Sequence, residues 1–374
     1  MVRRSKFLLT SAALAAASCG SSLALNSDDI PAMTDEALVY YLTNIKDARG
    51  SAGGSVYGLR DDVGNPMYGP SILQLTGQEY KYAAVYLSDC RASTSGCERP
   101  DAASGIRFKM YLAGSNDLLT WTRIGLLADN ADMPRIARVE KSDWLMIVHE
   151  QWGGKAAQSS SPSRISYRLY HNESDLMDLT TGEVWTAPLF GSDLNGTPSI
   201  YHAYREEYEG KFGVGGQFGF HYFDKKRDKN AVNTALRLFH PDARVVYEPS
   251  VADDYNDLFD NLGVKGNIGQ RDTLVTTRAR YNIQEGNLNA DGDFGGWRVW
   301  LYKFGDEPNY PTGKGTVTRI EPKTPMGSTA FGNPSVAIVD RPDDTGKAIV
   351  ISYTIFAEGG KGSEVGPVLY YFNI

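Results

Sequence analysis

Five short segments of this chain echo one another: Gly69-Pro70-Ser71-Ile72, Met133-Pro134-Arg135-Ile136, Thr197-Pro198-Ser199-Ile200, Gln270-Arg271-Asp272-Thr273 and Asn333-Pro334-Ser335-Val336. Each opens a run of alternating apolar and polar residues, the pattern of a half-buried strand. With Pro70, Pro134, Pro198, Arg271 and Pro334 as anchors, the intervals are 64, 64, 73 and 63 residues. Each interval holds strand-type runs and no long helix, which suits one four-stranded sheet, and such sheets repeated radially make a β-propeller. The expectation is an all-β fold, a five-bladed β-propeller with a short N-terminal helix, its innermost strands converging on an axial funnel. Proline suits the start of an inner strand because it fixes φ and lacks a ladder donor. The fourth segment has no proline and is placed by spacing and by the Leu274-Val275 that follows.

A length of 374 residues alone suggests two domains, but the repeat favours one. Residues 1–24 read as a signal peptide: Arg3, Arg4 and Lys6, an apolar stretch from Phe7 to about Ala17, and Ser22-Leu23-Ala24 as the cleavage site. Export to the exterior is expected, or to a bacterial periplasm, with Cys19 as an alternative lipid-anchor site. After cleavage Cys90 and Cys97 remain, close in sequence and in an oxidising compartment, and are expected to pair. A formal charge of −7 argues against nucleic acid or an anionic membrane as partner and favours neutral ligands; the mature protein is expected to act as a monomer. Asn172-Glu173-Ser174 and Asn195-Gly196-Thr197 are glycosylation sequons.

Residues 25–53 hold the expected helix, with Thr34 as N-cap, Asp35 and Glu36 in its first turn, an apolar stripe of Ala37, Leu38, Tyr41, Leu42 and Ile45, and Gly50 at its end. The propeller then covers 54–374. Only about two strands follow the last inner strand, so Gly54–Leu59 is expected to complete the fifth blade beside Val368–Ile374 and close the ring. Ser115-Asn116-Asp117-Leu118-Leu119-Thr120-Trp121 and Ser174-Asp175-Leu176 read as structural turns, with Asp and Ser bonding amides while Leu and Trp tuck between blades.

Groups that meet on a propeller axis come from inner-strand starts and neighbouring loops. Asp132 and Asp272 flank two anchors, and Glu150 and Glu285 end second strands; these four are the candidate catalytic acids, since paired carboxylates divide general-acid and general-base work. Arg135, Trp152, His202, Gln270 and Arg271 are the candidate substrate-binding residues, Trp152 as a stacking face for a sugar. Each has a plainer reading: the aspartates as turn caps, Glu150 as an ion-pair partner of Arg135 or Arg138, His202 as an ordinary inner-strand residue. Residues 287–293 resemble half a calcium loop, but Arg298 stands where a bidentate Glu is required, so a hairpin loop is expected. No metal or cofactor is expected, because zinc, phosphate-loop and serine-nucleophile motifs are missing.

The blade period, the Pro-Ser-Ile starts and Ser115-x-Asp117-Leu118-x-x-Trp121 resemble the five-bladed propeller superfamily of arabinanases, β-xylosidases, arabinofuranosidases and invertases, from about Gly54 to Ile374. The resemblance implies a glycoside hydrolase acting on a plant or microbial oligo- or polysaccharide. It also implies acids at the inner-strand starts of the first three blades, where this sequence departs: the first has Gly69, the third Asn195-Gly196-Thr197, and Asp132 lies one residue further from its proline than usual. Arg271-Asp272 is similar to the Arg-Asp pair of the invertase group but sits in the fourth repeat. The alternatives are a non-catalytic glycan-binding propeller and a lyase using His202 with Tyr201 or Tyr204.

Overall fold

The computed structural model describes residues 32–89, 108–153, 162–180, 183–208, 211–239, 246–306 and 309–374. The export signal, Cys19, Cys90 and Cys97 lie outside the described residues. Among the described residues no helix is long and apolar enough to cross a membrane.

Among the described residues, twenty strands form five four-stranded antiparallel sheets. Strand β1 (Gly53–Tyr57) comes first in sequence yet belongs to the last sheet. Blade 1 is β2 (Tyr68–Gln74), β3 (Tyr82–Asp89), β4 (Phe108–Ser115) and β5 (Thr122–Asp129); blade 2 is β6 (Ala131–Arg138), β7 (Leu145–Trp152), β8 (Ser163–Tyr170) and β9 (Glu183–Thr186). Blade 3 is β10 (Asn195–Tyr208), β11 (Lys211–Asp224), β12 (Lys229–Phe239) and β13 (Val246–Val251). Blade 4 is β14 (Ile268–Val275), β15 (Arg280–Asn287), β16 (Trp297–Lys303) and β17 (Thr316–Ile320). Blade 5 is β18 (Phe331–Asp340), β19 (Lys347–Ile355) and β20 (Gly366–Asn373), completed by β1, whose Gly53 pairs with Phe372 and Tyr57 with Val368. The ring is closed by joining the two ends of the propeller, which removes the edge that an open last blade would expose.

Besides a second slip in blade 3 between Ile200 and His202 and two between β4 and β5 of blade 1, the ladder of the first two strands slips at one equivalent place in every blade: between Tyr68 and Ser71, Asp132 and Arg135, Gly196 and Ser199, Ile268 and Arg271, and Gly332 and Ser335. Two inner-strand residues there face one on the second strand, which is a β-bulge. Proline fills its second position in four blades, because a residue left out of the ladder has no use for an N–H. The register corrects the fourth anchor: Gln270, not Arg271, is the counterpart of the prolines, and the intervals become 64, 64, 72 and 64 residues. The first bulge position is left-handed in Gly69 (φ 51°), Met133 (46°), Thr197 (40°) and Asn333 (49°). Three non-glycine residues in that region, one of them β-branched, mark local strain around the axis.

The apolar core is divided among the blade interfaces. Tyr82, Val339 and Val350 pack between blades 5 and 1, Val85, Met110 and Ile147 between 1 and 2, and Val148, Tyr167 and Phe218 between 2 and 3. Leu274, Ile283, Val336 and Ile351 fill the interface of blades 4 and 5, where helix α1 (Asp35–Thr43) docks. Thr34 caps α1, its Oγ1 accepting from Ala37 N at 3.2 Å, and Leu38 and Leu42 are fully buried. Burying each leucine is worth about 1.5–3 kcal/mol over exposure. The helix stops at Thr43, before the expected Gly50, and two short 3₁₀ turns carry the backbone to β1. Helix α2 (Glu173–Met177) occupies the second expected turn with Leu176 buried, while α3 (Asp253–Asn261), between blades 3 and 4, adds a helix to the one expected from sequence. The turn after β4 is structural as expected: Asp117 Oδ1 accepts from Leu119 N at 2.9 Å and Thr120 N at 2.7 Å, over a buried Leu118 and Trp121. Of the two sequons, Asn172 is exposed, but Asn195 is buried with its amide bonded both ways to Phe190, so the folded protein offers no acceptor there.

Candidate functional site

Arg135 is the first paired residue after the bulge of β6, and its side chain crosses the axis. Its Nε donates to Arg271 O at 3.1 Å, Nη1 to Pro134 O at 2.8 Å and Gly69 O at 3.3 Å, and Nη2 to Pro334 O at 2.8 Å. With the Gln270 amide turned to match its neighbours, its oxygen also accepts from Arg135, Nη1 at 2.8 Å, while its nitrogen donates to Asn333 Oδ1 at 3.2 Å. Bulge carbonyls of blades 1, 2 and 5 and the Arg271 carbonyl of blade 4 are thus gathered by one guanidinium, which is 1% exposed. The residue expected to bind substrate is enclosed and joins four blades; Gln270 is equally buried beside it. Arg271 is buried in the adjoining layer, its Nε donating to Gln284 Oε1 and its Nη2 to Gly269 O, both at 3.1 Å.

Beside this hub, toward the starts of the inner strands, lie three acids. Asp132 and Glu150 are direct cross-strand partners, so their Cα atoms are roughly 4.5–5.5 Å apart. Both are buried. Asp132 Oδ1 accepts from Met133 N at 2.6 Å, and among the described residues nothing bonds its Oδ2. Glu150 Oε2 accepts from Thr197 N at 3.3 Å across the interface of blades 2 and 3. Burial raises the pKa of Asp132, and Asp89 adds to it; burial raises that of Glu150, and the charge of Asp132 adds to it. Two carboxylates so placed hold a proton between them more tightly than either would alone. Glu150 pairs with neither Arg135 nor Arg138; the Arg138 guanidinium goes to Glu173. Thr197 Oγ1 meets His221 Nδ1 at 2.5 Å. Desolvation, then the charge of Arg271, pushes this half-buried histidine down to about 3, so it is neutral at pH 7. Gly196 passes between them: a Cβ there would come 2.8 Å from His221 Nε2 and closer still to Glu150 Oε2. His221 carried no sequence signal, since it reads as an ordinary strand residue, and Thr197 was singled out only as the start of the third echo and a position without the implied acid.

Glu285 faces the bulge of blade 4. Its Oε1 accepts from Gln270 N at 2.5 Å and its Oε2 from Asn333 N in blade 5. Burial pushes its pKa up to about 7, against the opposing pull of these N–H groups and of Arg135 and Arg271. Asp272 is placed differently from the three acids: its Oδ2 accepts from Ser335 Oγ at 2.8 Å and Val336 N at 3.0 Å, Oδ1 accepts from Thr273 N at 2.9 Å, and Arg135 Nε lies 3.8 Å away. It ties the inner strands of blades 4 and 5.

Aromatic side chains border the acids on both sides. Trp152 ends β7 and packs with Leu87, Phe108, Tyr68 and Met133 near Asp132 and Glu150. Trp297 and Phe294 pack against Phe356 near Glu285, with Phe294 half exposed. His202 is not brought to this mouth. Five residues of extended strand beyond Thr197, roughly 16 Å, it binds Glu140 through Nε2 at 2.6 Å, with Tyr204 alongside. Among the described residues no group of three or more His, Cys, Asp or Glu is arranged to hold a metal, and residues 287–293 form a hairpin loop closed on itself, with Asn287 Nδ2 donating to Asp293 O at 3.0 Å.

No protein-family model and no curated protein matches the sequence. Solved structures match it in shape. The BT0996 RGII complex has a TM-score of 0.50 at 10% identity, over 89% of the present protein and 93% of that one. The α-L-arabinofuranosidase from Lactobacillus brevis gives 0.45 at 8%, over 82% and 90%, and Zg3597, a family 117 glycoside hydrolase from Zobellia galactanivorans, 0.42 at 11%, over 86% and 90%. At these identities the likeness is one of fold alone, that of a five-bladed propeller.

Proposed function

We propose that the protein is a secreted glycoside hydrolase that takes an oligo- or polysaccharide at the strand-start mouth of the propeller axis. One observation carries this reading: Asp132 and Glu150 face each other there with raised pKa values and one carboxylate oxygen, Asp132 Oδ2, unengaged among the described residues. Glycoside hydrolysis needs one carboxyl that holds a proton at working pH, to protonate the leaving oxygen, and one that is ionised, to act as nucleophile or base. A coupled buried pair supplies both states at once. Glu285 is the third acid, across the hub, and Trp152 and Phe294 supply apolar faces for sugar rings. Asp272 is left out of the chemistry because its oxygens are spent on blade 5. Removal of residues 1–24 and pairing of Cys90 with Cys97 belong to the same proposal; thiol titration of the exported protein finding both cysteines reactive would count against it.

The test is turnover on a panel of neutral and acidic plant and microbial glycans. Asp132→Asn and Glu150→Gln should each lower turnover by at least about a hundredfold, the low end for losing general acid–base help, with glycan affinity retained. A second reading, a glycan-binding propeller without hydrolysis, draws on Gly69, Met133 and Thr197 standing before the first three prolines and on the acids being bonded to bulge amides. Binding without turnover across the panel would select it.

A further inference from the structure

A cleft of about 460 Å³ opens between the outer strands of blade 4, β16 and β17, and the connection that leads from β17 into β18 of blade 5. Its wall brings together four cations from separated stretches of sequence: Lys46 after α1, Arg298 on β16, Arg319 on β17, and Lys323 just beyond. The one carboxylate among these described lining residues is Glu321, 3.4 Å from Arg319 Nε. Four positive charges against one leave a local excess of three in a protein whose formal charge is −7. Glu364, beneath the neighbouring loop, is turned inward and occupied: Thr324 Oγ1 donates to it at 2.5 Å, Ser328 Oγ at 2.6 Å and Met326 N at 2.8 Å. A fifth cation, Lys361, reaches the rim, its Nζ 3.6 Å from where a Cβ on Gly327 would stand.

Lys46, Arg319 and Lys323 are exposed, and no carboxylate among the described residues lies within ion-pair distance of the two lysines. Arg298 is half-buried, and the charge of Arg319 acts against its own. Like charges gathered in a concavity over an apolar floor of Val299 and Phe331 are poorly screened by the protein and raise the local concentration of anions. The volume falls within the range of small-ligand sites.

We propose that this cleft binds an acidic glycan through a carboxylate or sulfate group on a sugar unit, held by Arg319 and Lys323. It rests on the reading of the protein as carbohydrate-binding, but not on any reading of the axial acids. The neutral-ligand expectation drawn from net charge applies to the whole protein and is reversed here, because charge in the cleft has the opposite sign.

The experiment is calorimetric titration of the full-length protein with oligogalacturonate, a sulfated oligosaccharide, a neutral arabino-oligosaccharide and polyglutamate. The double variant Arg319→Glu/Lys323→Glu is run beside wild type, with its melting curve as a folding control. Binding of at least one acidic sugar should weaken tenfold or more in the variant, and on raising salt from about 0.05 M to about 0.5 M, while the neutral sugar is unaffected. Preference for oligogalacturonate or for the sulfated sugar identifies the anion. Acidic sugars bound no better than the neutral one, an unaffected variant, or polyglutamate bound equally well would overturn the proposal. Loss of hydrolysis in Asp132→Asn with acidic-sugar binding intact supports it while bearing separately on the catalytic reading; loss of glycan binding of every kind removes both.

Discussion

The backbone N–H of Gln270 donates to Glu285 Oε1 at 2.5 Å, and this bond accounts for the one blade without its proline. At the other four bulges proline leaves no N–H to satisfy; blade 4 keeps the donor and places an acid opposite it. The same carboxylate accepts from Asn333 N and so links blade 4 to blade 5. Glu285→Ala would bury both donors without partners, at about 1–3 kcal/mol each. A loss of about 3 kcal/mol is expected in urea unfolding, and a change under about 1 kcal/mol would mean that these bonds are not made in solution.

Glu285 also predicts a pH dependence. Its folded pKa, about 7, is above the ordinary 4.5. A raised carboxyl contributes stability that is fully present below the unfolded pKa and is lost as pH rises through the folded value. Wild type should therefore lose stability between pH 4.5 and about 7, by up to on the order of 3 kcal/mol from this group. Glu285→Gln, which does not titrate, should show a flatter profile over that window. Parallel profiles would remove the assignment.

Arg135 should behave as a structural hub. Replacement by Met strips donors from the carbonyls of Gly69, Arg271 and Pro334, and removes the cation 3.8 Å from Asp272 whose charge also acts on Glu285. Breaking such a buried charged network costs about 3–5 kcal/mol. Lys should rescue little, since an ammonium lacks the planar fork that reaches several carbonyls at once. If Arg135→Met instead melts like wild type and only glycan affinity falls, the residue faces ligand, as its sequence position suggested.

Closure of the ring rests on β1. Deleting residues through Leu59 removes all five pairs with β20 and exposes the edge of blade 5. Deleting only through Asn26 removes none of them. The longer deletion, which also removes α1, should lower the melting temperature by about 4 °C or more, a shift worth roughly 3 kcal/mol in a protein of this size. Equal melting would contradict the pairing.

The propeller was legible because its signal is repeated: Pro70, Pro134, Pro198 and Pro334 each mark a position whose N–H is outside the ladder, and four equivalent markers set the blade period. Strand runs, the helix at Asp35–Thr43 and the donor strand for blade 5 follow from local pattern and from counting. The anchor of blade 4 was displaced by one residue because its proline is replaced by a bond to Glu285, fifteen residues away, and no local pattern reports such a bond. For the candidate site, sequence alone singled out four acids, Asp132, Asp272, Glu150 and Glu285, since position at strand starts and ends is a local property. What separates Asp272 from the other three, turns Arg135 inward to four blades, sends His202 toward the far end and adds His221 beside Thr197 was decided only by tertiary structure. Those outcomes depend on which blades face each other across the axis and on how bulges aim side chains. They are contacts between residues tens to hundreds of positions apart, and a sequence read segment by segment does not contain them.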